Sequence, residues 1–290
     1  MIAILGPGGV GGLLAAALAR AGEPVTVIAR ESTAELIERD GIRVESLFLG
    51  ADFTARPAAA TRITEPGATL VVATKATTLP DALDRVDAAP ALVVPLLNGL
   101  DHMELLRERF PFDRVAAGVI RVEADRPAPG HITQTSPFLR VDMAPTERVT
   151  AFAAALERAG VPVGVSESEA DVLWGKLVRL NALACVTSAH DMLLGPIRDD
   201  PERRAELDAC IREAAAVAAA EGATGIDPGV VMAELDQAHA TLGTSMQRDI
   251  AAGRAPELDA LPGAVLRAGA RHGIATPTIA RLYDAIAARL

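Results

Sequence analysis

The chain of 290 residues is half hydrophobic and 23% charged, and at roughly 100 to 200 residues per domain this length points to two globular domains. Its 28 Lys and Arg against 38 Asp and Glu leave a net charge of −10, which removes the electrostatic basis for sequence-independent binding of nucleic acid or of an anionic membrane. Cys185 and Cys210 are the only cysteines; with no C-x-x-C spacing they argue against a disulfide framework, a redox dithiol or a metal site, and read as small buried hydrophobes.

Met1 to Ala19 carry no charge, yet no Lys or Arg precedes the apolar run and glycines interrupt it, so the segment reads as structure rather than as a signal peptide or a membrane span. A cytoplasmic protein is expected. Ile2 to Leu5 is a short apolar run ending at a glycine cluster, Leu13 to Arg20 is an Ala/Leu helix, and Val25 to Ile28 is a second β-branched run. Together they predict one βαβ unit with a parallel strand pair. Thr69 to Ala73, Ala91 to Leu97 and Val115 to Ile120 read as further buried strands, with helices over Leu79 to Val86 and His102 to Arg109. His131 to Thr135 and Phe138 to Asp142 suggest a short antiparallel pair, followed by a helix over Thr150 to Ala159 and a strand over Val161 to Val165. From about Ser166 the period becomes helical: Glu169 to Thr187, Glu202 to Glu221, Gly229 to Ala251, Glu257 to His272 and Thr278 to Leu290. The expected organisation is an α/β domain over 1–165 and an all-helical domain over 166–290; the glycine motif marks the first as dinucleotide-binding and Rossmann-like, which leaves the second as the substrate and catalytic half.

Gly6-Pro7-Gly8-Gly9-Val10-Gly11 fits G-x-G-x-x-G directly after a strand and at the start of a helix. There the first glycine permits the turn, the second lets backbone approach a pyrophosphate and the third lets helix and strand pack closely. The free N–H groups and the dipole of the helix start attract the anion. An NAD site places Asp or Glu at the end of the second strand, whereas this chain has Arg30, whose guanidinium matches a 2′-phosphate; NADP is therefore preferred, although Glu31 can still serve a ribose. Alone, Arg30 would be an ordinary solvated loop arginine.

Lys75 and Asn98 follow two of the predicted parallel strands, at the carboxyl edge where open α/β sheets bind ligands. Singly, each is more ordinary: a solvated lysine, and an Asn-Gly turn. Lys176 falls inside the apolar stripe of Val172, Leu173, Leu177, Leu180 and Ala184 rather than opposite it. It is either a snorkelling lysine or a partly desolvated ammonium placed to donate a proton. Glu257, after Pro256, shares its side of the wheel with Leu258, Leu261, Ala264, Val265 and Ala268. It reads either as an N-terminal acid favoured by the helix dipole or as an inward carboxylate near Lys176.

These residues resemble the ketopantoate reductases, NADPH-dependent enzymes that reduce 2-dehydropantoate to pantoate in pantothenate synthesis. The likeness covers essentially the whole chain. It rests on GPGGVG, Arg30, Thr74-Lys75-Ala76, Asn98-Gly99, Trp174-x-Lys176-Leu177, Thr244-Ser245-Met246, Glu257-Leu258-Asp259, Gly263 and His272-Gly273-Ile274-Ala275-Thr276-Pro277. The resemblance implies a Rossmann-like domain followed by a 6-phosphogluconate-dehydrogenase-like helical half. It implies that Gly6, Pro7, Gly8, Gly9, Val10 and Gly11 line the pyrophosphate of NADPH, that Arg30 meets the 2′-phosphate, and that Lys75 and Asn98 approach the ribose and nicotinamide. Lys176 would be the proton donor, Ser245 would touch the substrate carboxylate and Glu257 would hydrogen-bond near the ketone. The implied partner is a small 2-oxo acid, with a homodimer as one option for assembly.

The chain also departs from the family, which has asparagine where Leu180, Ala184, Leu194 and Leu242 stand and a Thr-His-Gly-Ala-like segment where Arg121-Val122-Glu123-Ala124 stands. Asn181, five residues after Lys176, points about 140° away on a regular helix and does not replace them. Arg121 and Arg179 are candidates for compensating charge. Two alternatives follow: a reductase of a less polar 2-oxo acid or ketone, and a catalytically silent NADPH-binding regulatory protein. Keeping both Lys176 and Glu257 on apolar helix faces argues against the second.

Overall fold

The computed structural model describes residues 1–50 and 52–290. The chain divides into two compact units, one of residues 1–97 and 102–169 and one of residues 98–101 and 170–290.

The first unit runs β1 (Ile2–Leu5), α1 (Gly9–Arg20), β2 (Val25–Ile28), α2 (Glu31–Asp40), β3 (Ile42–Ser46), β4 (Phe53–Ala55), β5 (Ala58–Ala60), β6 (Thr69–Val72), α3 (Leu79–Leu83), β7 (Leu92–Pro95), α4 (His102–Arg109), β8 (Gly118–Arg121), β9 (Ala124–Ala128), β10 (His131–Gln134), β11 (Arg140–Met143), α5 (Thr150–Arg158) and β12 (Val163–Val165). Five strands form a parallel sheet in the order β5-β2-β1-β6-β7. The strand order turns back at β1, so the carboxyl ends of β1 and β6 open at a topological switch point, the place where such sheets bind ligands. A second sheet, β4-β3-β10-β9, lies on the other side of α1, which packs on β2 and also on β3, β4, β9 and β10. That enclosure explains the uncharged start of the sequence: Gly11 to Leu18 are all buried, and a helix apolar all round is one buried all round.

The run Val115 to Ile120 does not extend the parallel sheet. Val115 makes a single bridge to Val93, and β8 instead joins a separate three-stranded sheet, β12-β11-β8. The antiparallel pair expected between His131–Thr135 and Phe138–Asp142 does not form. β10 pairs with β3 and β9, and β11 with β8 and β12. The reason lies in the connection. Gln134 and Ser136 are buried and use their side chains on the local backbone: the Ser136 hydroxyl donates to the Phe138 carbonyl at 2.6 Å and accepts from the Glu123 N–H at 3.0 Å. Pro137 adds no donor, and the chain passes from one sheet to the next.

The second unit is helical: α6 (Glu169–His190, whose first residue groups with the first unit), α7 (Leu194–Asp199), α8 (Pro201–Ala220), α9 (Pro228–Gln237), α10 (Ser245–Ala251), α11 (Ala264–His272) and α12 (Pro277–Ala287). Its core gathers Trp174, Leu177, Leu183, Leu207, Ile211, Leu261, Val265 and Leu282, with the free Cys185 and Cys210 among them. The helix expected over Gly229 to Ala251 is two helices. Ala238 leaves the helical region at ψ 154°, the carbonyls of Ala240 and Leu242 accept from the Gly195 and Leu194 N–H groups, and the Thr244 hydroxyl caps α10. The expected helix from Glu257 begins with a π-helical turn over Asp259–Gly263. Pro262 has no N–H to give the Leu258 carbonyl. The Gly263 N–H takes that carbonyl instead, at 3.1 Å, which widens the turn. No helix among the described residues is long and apolar enough to cross a membrane.

Gln134 sits at the centre of the buried polar cluster. Its carbonyl oxygen accepts from the Ser46 hydroxyl at 2.7 Å and the Phe48 N–H at 3.0 Å, and its amide donates to Ser136. Gln134→Ala strands these groups and is expected to cost about 2 kcal/mol, read as a lower urea midpoint; a midpoint equal to the parent's would show that the cluster carries no weight.

Candidate functional site

In the first unit the glycine loop joins β1 to α1 as its spacing requires. Gly6 takes φ +93°, its N–H bonds the Ile28 carbonyl at 3.2 Å, and its own carbonyl accepts from Gly8 at 2.8 Å. A Cβ on Gly11 would run into the Gly6 carbonyl oxygen, so this close approach of helix and strand tolerates only glycine. Gly8 is the N-cap of α1 and Pro7 precedes it; Gly9 and Val10 open the helix. Gly8 offers no side chain to cap the first turn, and no acidic residue stands there. The orphan N–H groups of that turn are thus left for an anion or solvent. A Cβ on Gly8 would meet nothing within 4 Å. Beside the loop, the Thr74 hydroxyl is buried and makes no hydrogen bond among the described residues, with its methyl toward Gly6. An uncapped helix start, open space at Gly8 and an orphan hydroxyl fit a bound pyrophosphate.

Arg30 is exposed at the N-cap of α2, and its guanidinium makes no hydrogen bond or ion pair among the described residues. Lys75 is exposed where the chain leaves β6 and begins a single 3-10 turn.

In the second unit, Asn98, Lys176 and Glu257 come together. Lys176, half-buried on α6, donates from Nζ to Asn98 Oδ1 at 2.7 Å. Asn98 Nδ2 donates to Glu257 Oε2 at 2.8 Å. The two bonds orient the amide, since the ammonium can only donate and the carboxylate can only accept. Glu257 is 8% exposed and sits in the bend ahead of the π-helical turn, not within a helix as expected. The link runs through Asn98, a bridging role that sequence reading did not assign. Gly99 makes the bridge possible: it holds φ +86°, and a Cβ there would strike the Ala260 carbonyl oxygen.

Ser245 is exposed at the first residue of α10, and no hydrogen bond joins it to the other three. Leu180, one turn on from Lys176, is half-buried against the helical core, and Ala184, Leu194 and Leu242 are buried in or beside it. Asn181 is fully buried, where its Oδ1 accepts from the Cys185 thiol at 3.5 Å. Of the two candidate compensating charges, Arg179 lies 3.8 Å from Glu234 and Arg121 lies 3.9 Å from Asp142. Sequence reading also missed Thr74 as an orphan hydroxyl and Arg267, whose guanidinium bonds Asp101 and Asp259.

Two family models match the chain: "Ketopantoate reductase PanE/ApbA" over residues 2–146 and "Ketopantoate reductase PanE/ApbA C terminal" over residues 170–289. A relative from Caulobacter vibrioides named 2-dehydropantoate 2-reductase is 33% identical over 285 residues, covering 95% of this chain and 94% of its own. The solved 2-dehydropantoate 2-reductase of Geobacter metallireducens superposes with a TM-score of 0.90 at 26% identity, covering 100% of this chain and 99% of its own. A ternary structure of D-mandelate dehydrogenase with NADH and anilino(oxo)acetate shares the fold, with a TM-score of 0.86 at 21% identity over 99% of this chain and 97% of its own.

Gly99→Ala adds a side chain where φ is positive and space is absent, which is expected to cost about 1 to 3 kcal/mol. The measurements are a thermal melt and amide exchange over residues 98–101. A melt and exchange equal to the parent's would show that the strained turn does not hold Asn98.

Proposed function

The chain belongs to the ketopantoate reductase family, and from that premise we propose that it reduces a 2-oxo acid, 2-dehydropantoate foremost, with NADPH. The observation that carries the reading is the hydrogen-bonded run Lys176 to Asn98 to Glu257 in a helical unit whose surrounding positions are apolar. In this reading the backbone of Gly6, Pro7, Gly8, Gly9, Val10 and Gly11 holds the pyrophosphate, Arg30 the 2′-phosphate, and Lys75 and Asn98 the ribose and nicotinamide side. The bound dinucleotide supplies a hydride to C2 of the substrate.

The remaining work is electrostatic. As C2 becomes tetrahedral, negative charge develops on the former carbonyl oxygen. Lys176 stabilises that charge and transfers one proton to the oxygen, giving the 2-hydroxy acid and a neutral amine that regains a proton from solvent. Asn98 fixes the position of Nζ, since a side chain with four rotatable carbons would otherwise spread over many rotamers. Glu257 anchors Asn98 from the other end. Ser245 serves the substrate carboxylate.

A second reading keeps this machinery and changes the substrate to a less polar 2-oxo acid. Leu180 favours it, because this half-buried apolar side chain stands one helical turn from the ammonium. A substrate hydroxyl buried against leucine loses its water without gaining a partner, at about 1 to 3 kcal/mol. A kcat/KM panel of ketopantoate against 2-oxo acids with alkyl and aryl side chains separates the two.

Lys176→Ala is expected to lower kcat by at least roughly 100-fold while the dissociation constant of NADPH, read by fluorescence titration, stays within about twofold. Unchanged kcat would eliminate Lys176 as the proton donor. Arg30→Ala is expected to weaken NADPH by roughly tenfold or more while leaving NADH nearly unchanged; equal loss for both cofactors would rule out a 2′-phosphate contact.

A further inference from the structure

We propose that Arg267 is the positioning residue that holds Asn98 and Glu257 in register, an inference that rests on the reading of Lys176, Asn98 and Glu257 as the chemical centre. The two outer links of this run come from irregular backbone. Asn98 lies in the short segment 98–101, and Glu257 lies in the bend ahead of the π-helical turn over Asp259–Gly263. Neither Asn98 nor Glu257 lies within an α-helix or a strand, and although the Glu257 carbonyl accepts from the Leu261 N–H at 3.0 Å, no backbone ladder joins the two segments, so something else must set the distance between them.

Arg267, on α11, reaches both. Its Nη1 donates to Asp259 Oδ1 at 2.6 Å and its Nη2 to the Asp259 carbonyl at 2.9 Å, while Nη2 also donates to Asp101 Oδ2. Asp101 is three residues beyond Asn98, and Asp259 is two beyond Glu257. The planar guanidinium fork spans two carboxylates at fixed separation, which a lysine ammonium on a single point cannot do. The clamp has its own accommodation in the turn. A Cβ on Gly263 would stand 2.9 Å from Asp259 Oδ1 and 3.1 Å from Arg267 Nη1, so glycine leaves the room in which they meet. The backbone adds a second point of register, with Gly99 packed against the Ala260 carbonyl.

Magnitudes separate a positioning role from a merely stabilising one. The side chains of Arg267, Asp101 and Asp259 are 41%, 52% and 77% exposed, and ion pairs this open add little to global stability. What the guanidinium does change is local. Without it, the two segments that carry Asn98 and Glu257 lose the guanidinium that ties Asp101 to Asp259.

The test compares the full-length parent with Arg267→Ala, with Gly263→Ala as a second disruption of the same clamp and Arg271→Ala as a control. Arg271 is on the same helix but pairs with Glu221. Hydrogen exchange should rise in both 98–101 and 257–263 for Arg267→Ala and Gly263→Ala, and in neither for Arg271→Ala. With ketopantoate and NADPH, or with whichever 2-oxo acid the parent turns over, kcat should fall roughly 10- to 100-fold while KM for NADPH and the melting temperature stay near the parent's. The loss should also vanish in an Asn98→Ala background, because Arg267 then has nothing left to position. Unchanged exchange in either segment, an unchanged kcat, or a loss that multiplies with that of Asn98→Ala overturns the proposal. A parent that reduces no 2-oxo acid overturns the functional reading instead, and the exchange experiment still decides whether Arg267 holds the two segments.

Discussion

Taking a carboxylate out of water costs several kcal/mol unless donors replace the solvent, and Glu257 is almost wholly buried. The Asn98 amide is the group that makes this burial tolerable. It gives the carboxylate a neutral donor at one end and takes the ammonium of Lys176 at the other. A direct contact between ammonium and carboxylate would favour a tight pair that spends its charge internally. With an amide between them, the ammonium and the carboxylate each keep their own hydrogen bond to Asn98 and do not compete for the same hydrogen. The rest of the helical unit follows from keeping this run of three side chains intact.

That requirement reaches into backbone geometry. Pro262 denies the Leu258 carbonyl its usual partner and the Gly263 N–H replaces it one residue later, which widens the turn just after Glu257, whose own carbonyl accepts from the Leu261 N–H at 3.0 Å. Glu257 therefore projects from a bend rather than from a regular first turn. Gly99 does the corresponding work on the other segment, where its positive φ lets residues 98–101 lie directly against the Ala260 carbonyl. Single turns of π-helix recur at functional sites because they re-aim a side chain without dismantling the helix.

Much of this was legible in the sequence, where the signal is local. The β1–α1–β2 unit announces itself by two β-branched runs and a glycine cluster, and the all-round apolar α1 follows from its enclosure between two sheets. Lys176 and Glu257 stood out as charges on apolar helix faces. The second sheet did not stand out, because its strands are short and partly exposed: β9 is exposed over nearly its whole length and β4 has only three residues. The break between α9 and α10 was hidden by an unbroken helical period that tertiary hydrogen bonds from Leu194 and Gly195 override. Asn98 was placed at the correct strand end, yet its two partners lie 78 and 159 residues away. No periodicity reports a contact of that range.

The apolar residues around Lys176 sharpen the constraint rather than relax it. Leu180, Ala184, Leu194 and Leu242 complete the helical core and lower the local dielectric. In such surroundings a hydrogen bond to a charged group is stronger, and a missing one is more costly. Leu180, Leu194 and Leu242 carry no polar side-chain atom that could join the run. They also offer a substrate side chain no hydrogen-bonding partner of their own. Beside Leu180, the shape of an apolar substrate group, rather than its hydrogen bonds, would decide what fits.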